Sequence, residues 1–304
     1  MPSYVVTRAP GKINLQLSVG PLQADGYHPV ATVFQAVSLF DDVKVSVANH
    51  DEIKLSANGK VSELLPLNQN NLAYKAAELM RSKFEITDGL DISLSKEIPI
   101  AGGMAGGSAD AGATIVGIDT LFGLGLTRSE MESLGSQLGA DIPFTISGGT
   151  AIGTGRGDQI TPVLSRGSYN WVLALSSSGL STPAVYGECD RLREGLQVAP
   201  PHISDALMHA LSAGDAIALG KALSNDLQPA ACSLKPALRL ILDVGIDYGA
   251  LGGLVSGSGP TVAFLAENED HALDLVVALT SSGVVGNVVR TAGPVPGARV
   301  IESA

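Results

Sequence analysis

The residues with the clearest chemical meaning form the run Pro99-Ile100-Ala101-Gly102-Gly103-Met104-Ala105-Gly106-Gly107-Ser108-Ala109-Asp110-Ala111. Four glycines fall in six positions, directly before a segment with Ala111, Ile115, Ile118 and Phe122 on one helical face. Bare glycines let backbone N–H groups point at an anion, and a helix N-terminus adds further unpaired donors. Ser108 at the end of the loop reads as an N-cap or a ligand hydroxyl. The competing reading is a tightly packed connection with no ligand. No lysine follows the glycines, so this is not the G-x-x-x-x-G-K-[S/T] loop, and the upstream elements lack the βαβ layout of a G-x-G-x-x-G dinucleotide site. A second glycine run, Gly252 to Thr261, lies between two short strands. It reads either as a sheet bulge or as a close approach to the first half or to substrate. Gly153 to Gly157 reads as a turn.

The elements that must position these loops follow from periodicity. Tyr4–Thr7, Ile13–Val19, Ala31–Leu39, Val43–Val47 and Ile53–Leu55 alternate as strands with one covered and one wetter face, which favours a mixed or antiparallel sheet. A helix is predicted from Asn71 to Arg81 and a strand from Leu90 to Ser95. Thr127 and Glu130 form a capping-box signature for a helix over Arg128–Leu138. After a glycine-rich β region at Gly148–Ser168, Trp171–Leu175 opens a second half. Helices are expected there near 182–193, 203–211, 215–224, 235–242 and 270–280, with strands at 253–255, 262–265 and 284–290. This is an α+β pattern with a split β-α-β character. Gly293–Arg299 reads as a closing strand or a surface extension. With 304 residues, two domains are expected, divided at 1–165 and 166–304.

Composition narrows the classes. The net charge is −11, which argues against a nucleic-acid binder but leaves room for a small anionic substrate held by local cations and amides. Glycine makes up 36 of the 304 residues, well above the usual ~7%, while aromatics are only 4%. Cys189 and Cys232 read as two reduced thiols. No signal peptide or membrane-spanning run is visible, so a cytoplasmic protein without a membrane partner is expected, either monomeric or homodimeric.

Pro10-Gly11-Lys12-Ile13-Asn14-Leu15, the Pro99–Ala111 loop and the Gly252–Thr261 loop resemble the three motifs of the GHMP kinase superfamily. Three further segments resemble one branch of it: Asp25-Gly26-Tyr27-His28, Leu138–Phe144 around Asp141, and Thr182-Pro183-Ala184-Val185-Tyr186. Members of that branch transfer the ATP γ-phosphoryl group to the 2-hydroxyl of 4-CDP-2-C-methyl-D-erythritol, in non-mevalonate isoprenoid precursor biosynthesis. Kinases of homoserine, mevalonate, phosphomevalonate or galactose, or a non-catalytic nucleotide-binding module, are the alternatives. The resemblance implies an α/β N-terminal domain of mixed topology and a ferredoxin-like C-terminal domain, with the site in the cleft between them.

By the same resemblance Asp141 is the base and Lys12 its charge partner near the attacking oxygen. Asn14 orients substrate hydroxyls, or is a buried strand amide. ATP is expected on Pro99, Ala101, Gly102, Gly103, Met104, Ala105, Gly106, Gly107 and Ser108, with adenine near Asn70, Asn71 and Lys96. Ala105 and Ala109 stand where glycine and serine are common in the family; Ala105 can still donate its N–H provided its φ stays negative, and Ala109 removes one possible hydroxyl. Asp110 is read as first-turn helix stabilisation or indirect metal organisation. Mg²⁺ accompanies ATP, with Ser108 the one suggested protein donor. Tyr27 and Tyr186 would clamp cytosine while His28 reads its edge. Thr182 contacts the sugar alcohol or caps a helix, and Gly257 and Ser258 border the substrate.

Overall fold

A computed structural model describes residues 2–59, 65–100, 102–176 and 178–304. Its first half is built on two long strands, β1 (Tyr4–Val19) and β2 (Val30–Ala48), paired antiparallel along almost their whole length. Each absorbs two of the expected short strands. The register shifts twice and resumes: Ser38 and Leu39 on β2 bulge opposite Pro10/Gly11, and Leu15 on β1 bulges between Asn14 and Gln16. β3 (Ile53–Gly59) lies parallel to β4 (Gly89–Lys96), and β4 pairs with β2. Between them runs α1 (Leu72–Lys83), capped by the Asn71 side chain.

Helix α2 (Gly106–Phe122) packs across β1 and β2. It is followed by α3 (Arg128–Ser136), which carries both halves of the expected Thr127–Glu130 capping box, and by α4 (Ile142–Ser147). The hairpin of β5 (Thr150–Thr154) and β6 (Gln159–Pro162) completes this part, with β5 paired to β2. The expected alternation of dry and wet faces on β1 has a different outcome. Ile13 and Leu15 enter the core, but Lys12, Asn14 and Gln16 on the opposite face are also buried, under the second half of the chain.

That second half begins with β7 (Tyr169–Leu175) and α5 (Thr182–Leu192). Next come α6 (Asp205–Ala213), α7 (Ala216–Ala222), the two-residue strand β8 (Ser224–Asn225), α8 (Gln228–Leu234) and α9 (Ala237–Asp247). β9 (Gly252–Val255), β10 (Val262–Ala266), α10 (Glu269–Ser281) and β11 (Asn287–Gly293) follow. The antiparallel sheet order β11-β7-β10-β9, with α9 and α10 packed on it, is ferredoxin-like. Two short helices, α4 and α8 (Gln228–Leu234), have no counterpart in the periodicity reading.

The last strand, β12 (Arg299–Ser303), pairs with β1, and β8 also pairs with β1. A cut at residue 165 therefore falls between β6 and β7 but does not separate the two sheets, because the chain end returns to the first. The sheets are also joined through buried polar groups: Trp171 Nε1 on β7 donates to Gln35 Oε1 on β2 at 2.8 Å. No described helix is long and apolar enough to cross a membrane. Replacing Gln35 with Leu leaves the buried indole N–H without an acceptor, and a loss of about 1–3 kcal/mol is expected. Denaturant unfolding followed by fluorescence of Trp171, the single tryptophan, measures it, and an unchanged midpoint would remove this bond from the sheet–sheet joint.

Candidate active site

Two clefts meet where the halves join. The first, of about 560 Å³, is lined by Lys12, Asn14, the loop Gly102–Ser108 except Met104, Asp141, Thr182, Tyr186 and Gly257–Gly259. The second, of about 830 Å³, is lined by Tyr27, His28, Gln137–Ala140, Thr182 and Tyr186. Val30, Ala140, Arg156, Thr182 and Tyr186 line both, so the clefts are continuous.

The glycine loop does lead into a helix, but not with Ser108 as its cap. α2 starts at Gly106, and the capping position is Ala105, whose φ is positive, +59°, where the sequence reading required a negative one. An L-residue in this left-handed conformation costs about 1–2 kcal/mol. The strained turn lets the helix begin three residues earlier than the serine implies. The Gly106, Gly107 and Ser108 amides then fall in the first turn, where no intrahelical acceptor exists, while the Ser108 hydroxyl lines the cleft. Met104 does not line it: its side chain is fully buried in the core, and its carbonyl accepts from Lys12 N at 3.1 Å. Pro99 lines the cleft, and Ala101 lies outside the described residues.

The second glycine run braces the first. Ser256 Oγ donates to Gly103 O at 3.1 Å, and Thr261 N donates to Gly102 O at 3.3 Å. A Cβ on Gly103 would lie 2.2 Å from Ser256 O, so the two backbones meet only because this position is bare. Gly257 has a φ of +58°, and a Cβ there would lie 3.2 Å from Lys12 Nζ. Thr182 neither caps α5, where Ser181 is the N-cap, nor stands alone: its hydroxyl is 2.9 Å from Ser258 Oγ.

Lys12 Nζ donates to Asn14 Oδ1 at 2.7 Å and to Gly103 O at 3.0 Å. Its expected partner, Asp141, faces the same cleft from the start of α4, with no capping bond of its own. Burial lowers the Lys12 pKa, and the Asp141 charge acts against that. The two charges thus interact across the cleft that both residues line. Asn14 Nδ2 donates to Thr32 Oγ1 at 2.8 Å and Oδ1 takes Lys12. It holds the lysine in place, and one N–H and one Oδ1 lone pair remain beside the first cleft, which Asn14 lines.

Lys96, expected beside adenine, is instead buried beneath the loop. Its ammonium donates to Asp41 Oδ2, to Asp110 Oδ2 at 2.7 Å and to Gly106 O at 3.3 Å. Asp41 Oδ1 in turn accepts from the Glu97 and Ile98 amides at 2.7 and 2.9 Å. Burial raises the Asp110 carboxyl to about 7 despite Lys96, and raises Asp41 also. Burial works against the Lys96 ammonium, but the charges of Asp110 and Asp41 outweigh it and its pKa is raised. Asn71 is likewise committed, to the α1 cap and to Pro66 O, and neither Asn70 nor Asn71 lines the clefts. Leu72 lines the first cleft in their place.

His28 Nδ1 lies 2.9 Å from Gly20 O, and Nε2 lies 3.3 Å from Asp190 Oδ1. The residue lines the second cleft and its ring stacks on Tyr186, with ring centroids 5.2 Å apart. Burial, and then the Asp141 charge, push the Tyr186 phenol up to about 12, so it stays neutral. Tyr27 also lines the second cleft, with the Arg156 guanidinium over its ring. Arg156, which the turn reading of Gly153–Gly157 passed over, lines both clefts. Among the described residues no group of three or more His, Cys, Asp or Glu is placed to hold a metal ion.

A loop of bare amides at a helix N-terminus, facing a lysine and a carboxylate, is equipped to move a phosphoryl group onto an alcohol. Comparison with known proteins bears on the class. The GHMP kinases N terminal domain matches residues 71–149, and the GHMP kinases C terminal matches residues 207–285. The chain is 51% identical to the 4-diphosphocytidyl-2-C-methyl-D-erythritol kinase of Nocardia farcinica, over 99% of this chain and 98% of that one. It is 49% identical to the enzyme of the same name from Rhodococcus jostii, over 100% and 97%. A crystal structure of 4-(cytidine 5'-diphospho)-2C-methyl-D-erythritol kinase superposes with a TM-score of 0.77 at 30% identity, over 94% of this chain and 99% of that chain. The chain belongs to the GHMP kinase family and, within it, to the 4-diphosphocytidyl-2-C-methyl-D-erythritol kinases.

Removing the buried cation tests the support under the loop. Lys96→Met leaves two buried carboxylates uncompensated, and a loss of about 3–5 kcal/mol is expected near pH 8. Carboxyls whose folded pKa is raised lose stability as pH rises, so the deficit should shrink at pH 5, where they take up protons. Denaturation at both pH values measures it, and a deficit that does not depend on pH would contradict this electrostatic account.

Proposed function

We propose that this chain transfers the γ-phosphoryl group of ATP to the 2-hydroxyl of 4-CDP-2-C-methyl-D-erythritol, giving the 2-phosphate and ADP. The observation that carries this reading is the continuity of the clefts: Lys12, Asp141 and the amides of α2 line one, and aromatic rings line the other. The triphosphate lies along the Gly102–Ser108 loop, where the first-turn amides of α2 and the helix dipole favour negative charge. The polyol lies between Lys12 and Asp141, and cytosine in the second cleft against the Tyr186–His28 stack and Tyr27.

The reacting alcohol is tertiary and a poor acid. The Asp141 carboxylate takes its proton as the oxygen attacks the γ-phosphorus, and the bond from that phosphorus to the β-phosphate oxygen breaks. The Lys12 ammonium, pinned by Asn14 Oδ1 and Gly103 O, stabilises the developing alkoxide and the transferring group. Burial lowers its pKa and so favours giving up a proton, while the Asp141 charge opposes this and helps keep the cation.

Magnesium fits this site as an ion carried in by the nucleotide. The loop offers it the Ser108 hydroxyl, an oxygen donor compatible with a coordination shell made mostly of phosphate oxygens and water. When bound, it supplies charge neutralisation on the phosphates.

In a coupled ADP-release assay with both substrates, Asp141→Asn is expected to lose at least about a hundredfold in kcat while still binding CDP. Near-normal turnover would remove Asp141 as the base. Lys12→Met is expected to show a comparable loss in kcat, and unchanged turnover would remove the lysine from the mechanism.

A further inference from the structure

The hairpin between β5 and β6 delivers a cation to the joint of the two clefts. Gly155 and Gly157 flank Arg156 with φ of +69° and +95°, so the backbone reverses around it and the long side chain stands at the tip. Val30 N donates to Gly155 O at 2.9 Å, and Gly157 N donates to Thr154 O at 2.9 Å. The tip is thereby tied to the first residue of β2, two residues after His28. The guanidinium carbon lies 3.7 Å from the Tyr27 ring centroid, and Nη2 donates to Asp25 Oδ2 at 3.4 Å.

Five residues line both clefts, and Arg156 is the one among them that carries a charge. Lys12 is the other Lys or Arg lining the first cleft, and it is bound to Asn14 and Gly103. A cytidylyl sugar alcohol has parts in a matching order: a flat base, an anionic diphosphate and a polyol. We propose that Arg156 binds the diphosphate of the substrate and so selects a nucleoside-diphosphate-linked alcohol over a free one. This rests on the kinase reading above and assigns the part of the substrate that neither cleft alone accounts for.

The chemistry suits the position. Tyr27 lies under one face of the guanidinium, which fixes its plane and leaves the N–H edge for ligand. A planar fork of donors matches phosphate oxygens two at a time, which a lysine cannot do. The existing pair with Asp25 does not hold the group back. Both side chains are about half exposed, at 53% and 52%, and exposed pairs are weak enough to yield to a dianion. Asp158 and Asp190 also line the second cleft, so without a local cation the diphosphate would meet only carboxylate charge there.

Calorimetric titration of cytidine, CMP and CDP into the wild type, Arg156→Gln and Arg156→Lys tests this, together with KM for both substrates. Arg156→Gln is expected to weaken CDP about 10- to 100-fold while cytidine changes less than about twofold. Its KM for the cytidylyl substrate should rise while KM for ATP stays put, and Arg156→Lys should fall between. Equal losses for cytidine and CDP would mean that Arg156 merely holds Tyr27, and unchanged CDP binding would mean that it contacts no phosphate; either overturns the proposal. Failure of the kinase reading looks different: the wild type itself would bind no CDP and consume none of the cytidylyl alcohol, and the proposal would fall with it.

Discussion

The carbonyl of Gly103 is the joint on which the site depends. It accepts Lys12 Nζ from β1 and Ser256 Oγ from the turn after β9, so one oxygen ties both sheets to the glycine loop. The contact is possible because Gly103 has no side chain to separate the two backbones. Lys12 is fixed from the other side by Asn14, which is fixed by Thr32, whose hydroxyl donates to Gln16 O at 2.6 Å. The polar face of β1 is therefore the floor of the site and not a solvent face. Its burial lowers the lysine pKa, and its hydrogen bonds keep the cation oriented.

Beneath that joint the loop rests on ionic support. Lys96 reaches the Gly106 carbonyl while balancing Asp41 and Asp110, and Asp41 holds the Glu97 and Ile98 amides at the loop entrance. A buried cluster of this kind is weak evidence for net stability. Its effect here is positional, because it sets the direction in which β4 hands the chain to the loop. The Ala105 conformation has the same logic: a local cost of about 1–2 kcal/mol is accepted so that three first-turn amides face the cleft.

Much of this was legible in the residues. The Thr127–Glu130 box, the glycine loop opening a helix and the β7–β10–β11 strands follow from short-range chemistry that the folded chain leaves intact. What was not legible depends on partners distant in sequence. Lys96, expected beside adenine, is drawn beneath the loop by Asp41 and Asp110, which arrive from 55 and 14 residues away. His28 gives no sign in sequence of the contacts it makes with Gly20 O and the Tyr186 ring. Arg156 sits in a short glycine turn that periodicity treats as punctuation, and only the fold turns it toward two clefts. The return of β12 to β1 has no local signal at all, so a division of the chain by residue number misses it.

The central claim is phosphoryl transfer to one tertiary hydroxyl at the junction of these clefts. Phosphorus NMR of the product formed from ATP and 4-CDP-2-C-methyl-D-erythritol tests it most directly. The carbon bearing the 2-hydroxyl carries no hydrogen, so its phosphate should appear as a single new monoester resonance without carbinol-proton coupling, in step with ADP. A proton-coupled monoester signal would place the phosphate on a secondary or primary hydroxyl. That result, or inorganic phosphate as the only new species, would contradict transfer to the 2-hydroxyl.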